Sequence, residues 1–125
     1  MILDSNLIIY SARAEYPGLR RLIHGDGFAV SSISIVEVLG YHKLDQHTRD
    51  EFEKFFAAAD VLPITDAIIA VAVKVRQARK MSLGDALIAA TALASDGKLL
   101  THNVKDFAWI PGLTVVDPLA AGDPP

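Results

Sequence analysis

The chain has no cysteine among its 125 residues, which removes disulfides, thiolate nucleophiles and Cys-type zinc sites together. It also lacks a long apolar run. The longest, Ala67 to Val73, is far too short to span a bilayer. The opening MILDSN has no basic region followed by an apolar stretch, so no secretory signal is expected. Without disulfides or a span, a cytoplasmic protein away from membranes is the expectation. A basic surplus is missing too. The formal net charge is −3, which speaks against indiscriminate binding of nucleic acid. It leaves room for an enzyme whose acids gather around a cation, because a bound divalent ion reverses the local field.

What the chain does have is apolar content, 51% of residues, enough for one folded domain. The pattern alternates. Met1 to Leu3 reads as a short buried strand, and Leu7 to Ala14 as a helix. Pro17 can open a second helix to Ile23, and Gly25 and Gly27 turn the chain. Phe28 to Val30 is a strand, and Ser34 to Leu44 and Thr48 to Ala58 are helices. Val61 to Ile64 is a short strand. Thr65 to Arg79 is a helix with Ile68, Val71, Ala72 and Val75 on one face. Leu83 to Ala94 is an alanine-rich helix ended by Gly97. Lys98 to Thr101 and Thr114 to Val116 are the last strands. Short strands alternating with helices predict an α/β fold with a doubly wound parallel sheet, whose ligands bind beyond the carboxyl ends of the strands.

That rule selects the acids. Asp4 ends the first strand. Glu37 follows the second. Asp85 opens the alanine-rich helix, and Asn103 and Asp106 follow the Lys98 to Thr101 strand. A plainer account competes. Ser34-x-x-Glu37, Ser82-x-x-Asp85, Asn103-x-x-Asp106 and Thr48-x-x-Glu51 all have the spacing of a helix capping box, in which the acid only serves the first turn. Capping does not account for Asp4, or for acids meeting at one sheet edge. Oxygen-only donors suit Mg²⁺ or Mn²⁺ rather than Zn²⁺.

Four segments then fall into register: Ile2-Leu-Asp4-Ser-Asn6, Ser32-Ile-Ser-Ile-Val-Glu37, Gly84-Asp85-Ala-Leu-Ile-Ala-Ala-Thr91-Ala, and Leu100-Thr-His-Asn103-Val-Lys-Asp106-Phe. In order and separation they resemble the PIN-domain ribonucleases, and among them the VapC-type toxins of toxin–antitoxin pairs. The resemblance covers nearly the whole chain. It implies a three-layer α/β/α domain over residues 1–117 with a short parallel sheet of four to five strands, followed by a tail, 118–125, expected to fray. It implies a Mg²⁺- or Mn²⁺-dependent endoribonuclease with Asp4, Glu37, Asp85 and Asp106 as catalytic, metal-binding acids. Ser5, Asn6 and Asn103 would support them. Whether Asn103 or Asp106 fills the fourth position stays open, with Asp106 the choice. An RNA substrate, a cognate antitoxin and a homodimer are also implied. A PIN-like module without catalysis, kept for RNA or protein binding, is the alternative.

Other residues are read more plainly. His102 stands in no metal-binding His pair. Lys74, Arg76, Arg79 and Lys80 gather where a helix ends and suit its dipole. Arg13, Arg20, Arg21 and Lys105 are available to phosphate without being singled out. Trp109 and Phe107 are assigned to packing ahead of base stacking. Leu7, Ile8 and Tyr10 are candidates for a partner's groove, and core packing accounts for them equally well.

Overall fold

A computed structural model describes all residues, 1–125. Five strands, β1 (Ile2–Leu3), β2 (Ala29–Ser31), β3 (Asp60–Leu62), β4 (Lys98–Leu100) and β5 (Thr114–Val116), form one sheet in the order β3-β2-β1-β4-β5. Every pairing is parallel. The helices are α1 (Ser5–Ser11), α2 (Pro17–Ile23), α3 (Ser32–Leu39), α4 (Gln46–Ala58), α5 (Asp66–Ala78), α6 (Leu83–Ala94) and α7 (Val104–Phe107). None is long and apolar enough to cross a membrane.

Alternation along the strands sends neighbouring side chains to opposite faces, so β1, β2, β3 and β4 each feed two cores. Leu3, Val30 and Leu100 join Leu7, Ile8, Leu19, Phe52, Phe55 and Phe56 from α1, α2 and α4. Ile2 and Leu99 join Val75, Ile88, Ala89, Ala92 and Phe107 from α5, α6 and α7. The result is the expected three-layer α/β/α arrangement. In α6, Ala86, Ala89, Ala90 and Ala92 are all fully buried, and their small side chains let the sheet and α5 approach closely.

Several boundaries differ from the sequence reading, each for a local reason. Helix α1 starts at Ser5, directly after Asp4, and ends at Ser11. Helix α3 starts at Ser32 because Ser31 is its N-cap, the hydroxyl accepting from the Ile33 amide. Ser34 is therefore interior and fully buried, and the capping box through Glu37 does not exist. Asp45, not Thr48, caps α4, accepting from the Thr48 amide at 2.8 Å. Helix α7, a single turn, escaped the periodicity because four residues carry none. Gly97, at φ 74°, closes α6 with its N–H on the Ala92 carbonyl.

The C-terminal segment is tied to the body of the domain. Leu119 is buried in the core, and both oxygens of the Asp123 carboxylate accept from the Gly18 and Leu19 amides at 2.7 and 2.8 Å. The acid thus fills the cap that Tyr16, the N-cap residue of α2, leaves empty. Composition alone, rich in Gly and Pro, concealed one aspartate and one leucine with partners waiting for them. Of the groove candidates, Leu7 and Ile8 are fully buried and serve the core.

Candidate active site

The chain builds β1, β2 and β3 outward in one direction and then returns to place β4 on the other side of β1. The switch point lies between the carboxyl ends of β1 and β4, where an open parallel sheet has its crevice. Asp4 and Thr101 are the residues next beyond these two ends. Leu3 and Leu100 are register partners, and the Asp4 amide donates to the Leu100 carbonyl at 2.9 Å.

Asp4 is 2% exposed. The Thr101 hydroxyl, fully buried, donates to its carboxylate at 2.7 Å. The Asn103 amide donates to Thr101 Oγ1 at 3.0 Å, so that oxygen's own proton is left to face Asp4. Burial is the main influence on Asp4. It pushes the carboxyl from its ordinary 3.8 up to about 6, the Thr101 hydrogen bond opposes this, and the charges of Asp85 and Glu37 add to it.

Glu37 reaches the same place from α3. Its carboxylate and the Ser34 hydroxyl both lie 2.8 Å from Ser5 Oγ. A hydroxyl has one proton, and an ionised carboxylate only accepts, so Ser5 donates to Glu37 and accepts from Ser34. The three side chains form a relay across α1 and α3. The Glu37 carboxylate also rests against Gly84, where any Cβ would displace it. The glycine before Asp85 is what lets the two acids sit side by side.

Asp85 lies in the first turn of α6, behind the N-cap Ser82, whose hydroxyl accepts from the Asp85 amide at 3.1 Å. Ser82 thus caps the helix as its spacing to Asp85 predicts. Even so, burial raises the Asp85 carboxyl above its usual range, Ser82 opposes that, and the charges of Asp106 and Glu37 raise it further. Asp106, exposed on α7, thus belongs to the same electrostatic group.

Charge interactions thus connect Asp4 with Glu37 and Asp85, and Asp85 with Glu37 and Asp106, while Ser5 hydrogen-bonds to Glu37. Asn103 contributes its backbone N–H through Thr101, and its side chain makes no cap bond. Asn6 is half-buried on α1 and does not join the relay. Sequence reasoning missed Thr101, Ser34 and Gly84 as parts of the site. Thr101 carried the clearest signal, a hydroxyl ending the apolar run of β4. His102 is taken by Asp117, its Nδ1 lying 3.0 and 3.1 Å from the two carboxylate oxygens.

No three of the acids converge as a closed metal cage. The donor set nevertheless fits a hard divalent cation. It is all oxygen, and none of the chain's ion pairs involves any of these four acids. Mg²⁺ is characteristically held by one or two carboxylates with the rest of its shell as water, which an open cluster permits.

Comparison with known proteins agrees with this fold. No curated protein matches the chain in sequence. Among solved structures, it is similar to a chain of a toxin–antitoxin complex from Klebsiella pneumoniae, at 31% identity over 94% of this chain and 96% of that one, with a TM-score of 0.76. DNA-bound VapBC from Salmonella typhimurium gives 21% identity over 93% and 96%, with a TM-score of 0.80. VapBC2 from Rickettsia felis, bound to a promoter DNA fragment, gives 22% over 92% and 96%, with a TM-score of 0.73. The family described as PIN domain matches residues 1–112. That span carries β1, α7 and all four acids between them, and the chain belongs to the PIN domain family.

Proposed function

We propose that this protein is a divalent-metal-dependent endoribonuclease, the cytoplasmic VapC-type toxin of a toxin–antitoxin pair. The observation that carries the reading is the buried Asp4 at the switch point, electrostatically joined to Glu37 and Asp85, with no cationic side chain paired to any of them. Clustered carboxylates that lack a basic partner fit a cation site better than a structural ion-pair network.

A Mg²⁺ or Mn²⁺ ion at such a site supplies Lewis acidity for a phosphoryl oxygen and lowers the pKa of bound water. The chain's own residues prepare the place. Thr101 and the Ser5 backbone hold Asp4. The Ser34–Ser5 relay holds Glu37, and Gly84 leaves room for it. Asp85 is fixed at a helix start by Ser82. Asp106, exposed on α7, adds its charge beside Asp85.

The toxin part of the reading rests on resemblance and on the toxin–antitoxin complex from Klebsiella pneumoniae. A partner that inserts a guanidinium among these carboxylates would pair with them bidentately and exclude the metal. A homodimer belongs to the same reading.

The test is cleavage of RNA by chelated protein with and without added Mn²⁺ or Mg²⁺. Activity should vanish in EDTA and return with metal. Asp4→Asn, Glu37→Gln and Asp85→Asn should each reduce it by at least about a hundredfold while the far-UV spectrum stays native. Glu51→Gln, on α4, should leave it unchanged. Full cleavage in EDTA would exclude the mechanism. Co-expression with a neighbouring small gene, followed by assay of the complex in excess Mn²⁺, tests the toxin. An uninhibited complex would remove that part and leave the nuclease.

A further inference from the structure

Beside Asp85 and Asp106 lies a groove of about 600 Å³ whose rim carries Arg76, Arg79, Lys80, Lys105 and Trp109. The helix-dipole account covers only part of this. Arg76 is in the last turn of α5, but Arg79 and Lys80 stand beyond its end, and Lys105 comes from α7, a different element. All four cations are exposed, and none forms an ion pair, although two carboxylates share the same groove. In a chain of net charge −3, this is a local basic surface pressed against the acidic centre.

The aromatic member is held in place. Trp109 is half-buried, and its indole Nε1 donates to the Asp106 carbonyl at 3.0 Å. The Arg79 guanidinium lies over the indole, 5.3 Å from the ring centroid. Arg76 Nε donates to the Met81 carbonyl at 3.2 Å, which ties the α5–α6 connection that carries Arg79 and Lys80. A guanidinium stacked on an indole offers a flat platform to a nucleobase, and the flanking ammonium groups suit phosphates.

We propose that this groove binds the single-stranded RNA substrate beside the scissile phosphate, with Arg76, Lys80 and Lys105 on phosphates and the Arg79–Trp109 stack under one base. The inference deepens the nuclease reading and rests on it only for the word substrate. The binding itself can be measured without cleavage. An acidic protein segment would satisfy the cations but has no use for a stacking platform.

Trp109 is the chain's sole tryptophan, so its fluorescence reports this groove alone. The experiment titrates the full protein in EDTA with a short single-stranded oligoribonucleotide, and in parallel with polyglutamate of matched charge. RNA should quench Trp109 saturably, and polyglutamate should not. Arg79→Ala should raise Kd by about tenfold, the scale of one lost stacked base. Lys80→Ala and Lys105→Ala should each lower the slope of log Kd against log salt by about 0.7. Lys54→Ala, on α4 outside the groove, should change nothing. With Mn²⁺ present, the groove variants should raise KM and leave kcat close to wild type. All these positions are exposed, and circular dichroism checks each fold. Unchanged Kd and salt slope in the variants would overturn the proposal while leaving metal-dependent cleavage standing. Equal quenching by polyglutamate would overturn it in favour of an acidic protein partner. RNA bound here but never cleaved with metal would overturn the nuclease reading and keep the groove.

Discussion

A carboxylic acid with 2% exposure and no cation beside it holds its proton longer in the folded protein than in the unfolded chain. For Asp4 the two values are about 6 and 3.8. Between them the folded state binds more protons, so metal-free protein should lose stability as pH rises from about 4 to above 6. The loss is at most about 3 kcal/mol from this residue. Asp85, also raised, acts in the same direction. Thermal melts in EDTA should thus show a higher Tm near pH 5 than at pH 7.5, and Asp4→Asn should flatten the difference. A Tm that rises with pH across this window would contradict the burial of Asp4. Two neighbours offer finer tests. Thr101→Val removes the donor to Asp4, so activity should fall by about tenfold or more in protein that still folds, and its acidic limb should move to higher pH. Gly84→Ala should improve the helix by up to about 1 kcal/mol, yet lower activity because Glu37 must leave Asp85. An active Gly84→Ala enzyme would show that the position of Glu37 does not matter.

At the level of elements, strand and helix types were legible because burial on two faces and a 3.6-residue stripe leave different patterns. The ends of elements were less so, because caps are chosen by competition between nearby residues. Ser31 outcompeted Ser34, and Asp45 outcompeted Thr48, each lying just upstream of the residue that the spacing favoured. The same competition decided which acids were only caps. Ser82 caps the turn that carries Asp85, and Asp85 still feels the charges of Glu37 and Asp106, so a first-turn position and a place in the acidic cluster are compatible in one residue. Asp4, Glu37 and Asp106 could be placed at the carboxyl edge from connectivity alone, and Asp85 only on the condition that α6 starts at that edge. Thr101, Ser34 and Gly84 could not, since hydroxyl partners and a missing Cβ acquire meaning only once α3 and α6 are beside each other. The tail element has its own test. Asp123→Ala should cost about 1 kcal/mol and speed amide exchange at Gly18 and Leu19. Gly18→Ala should release the tail by a different route, because its Cβ would collide with the Pro124 carbonyl. Unchanged exchange in both would mean the tail contributes nothing to α2.

The whole molecule is a sheet whose central strand is its first. β1 lies between β2 and β4, and Asp4, the residue that follows it, takes a hydrogen bond from a threonine 97 positions later. Parallel pairings of such long separation form slowly, since the intervening chain must be ordered before they gain anything. They also impose an order in time. At translation rates of about 5–20 residues per second, Asp4 exists for roughly 5–20 s before Thr101 is made. A growing chain that has reached the end of α6 already carries Asp4, Glu37 and Asp85, yet it has neither β4 to complete the crevice nor the hydroxyl that holds Asp4. Interleaving the first strand with the fourth thus acts as a timer on the nascent polypeptide: the ribosome finishes most of the protein before the crevice between β1 and β4 can exist.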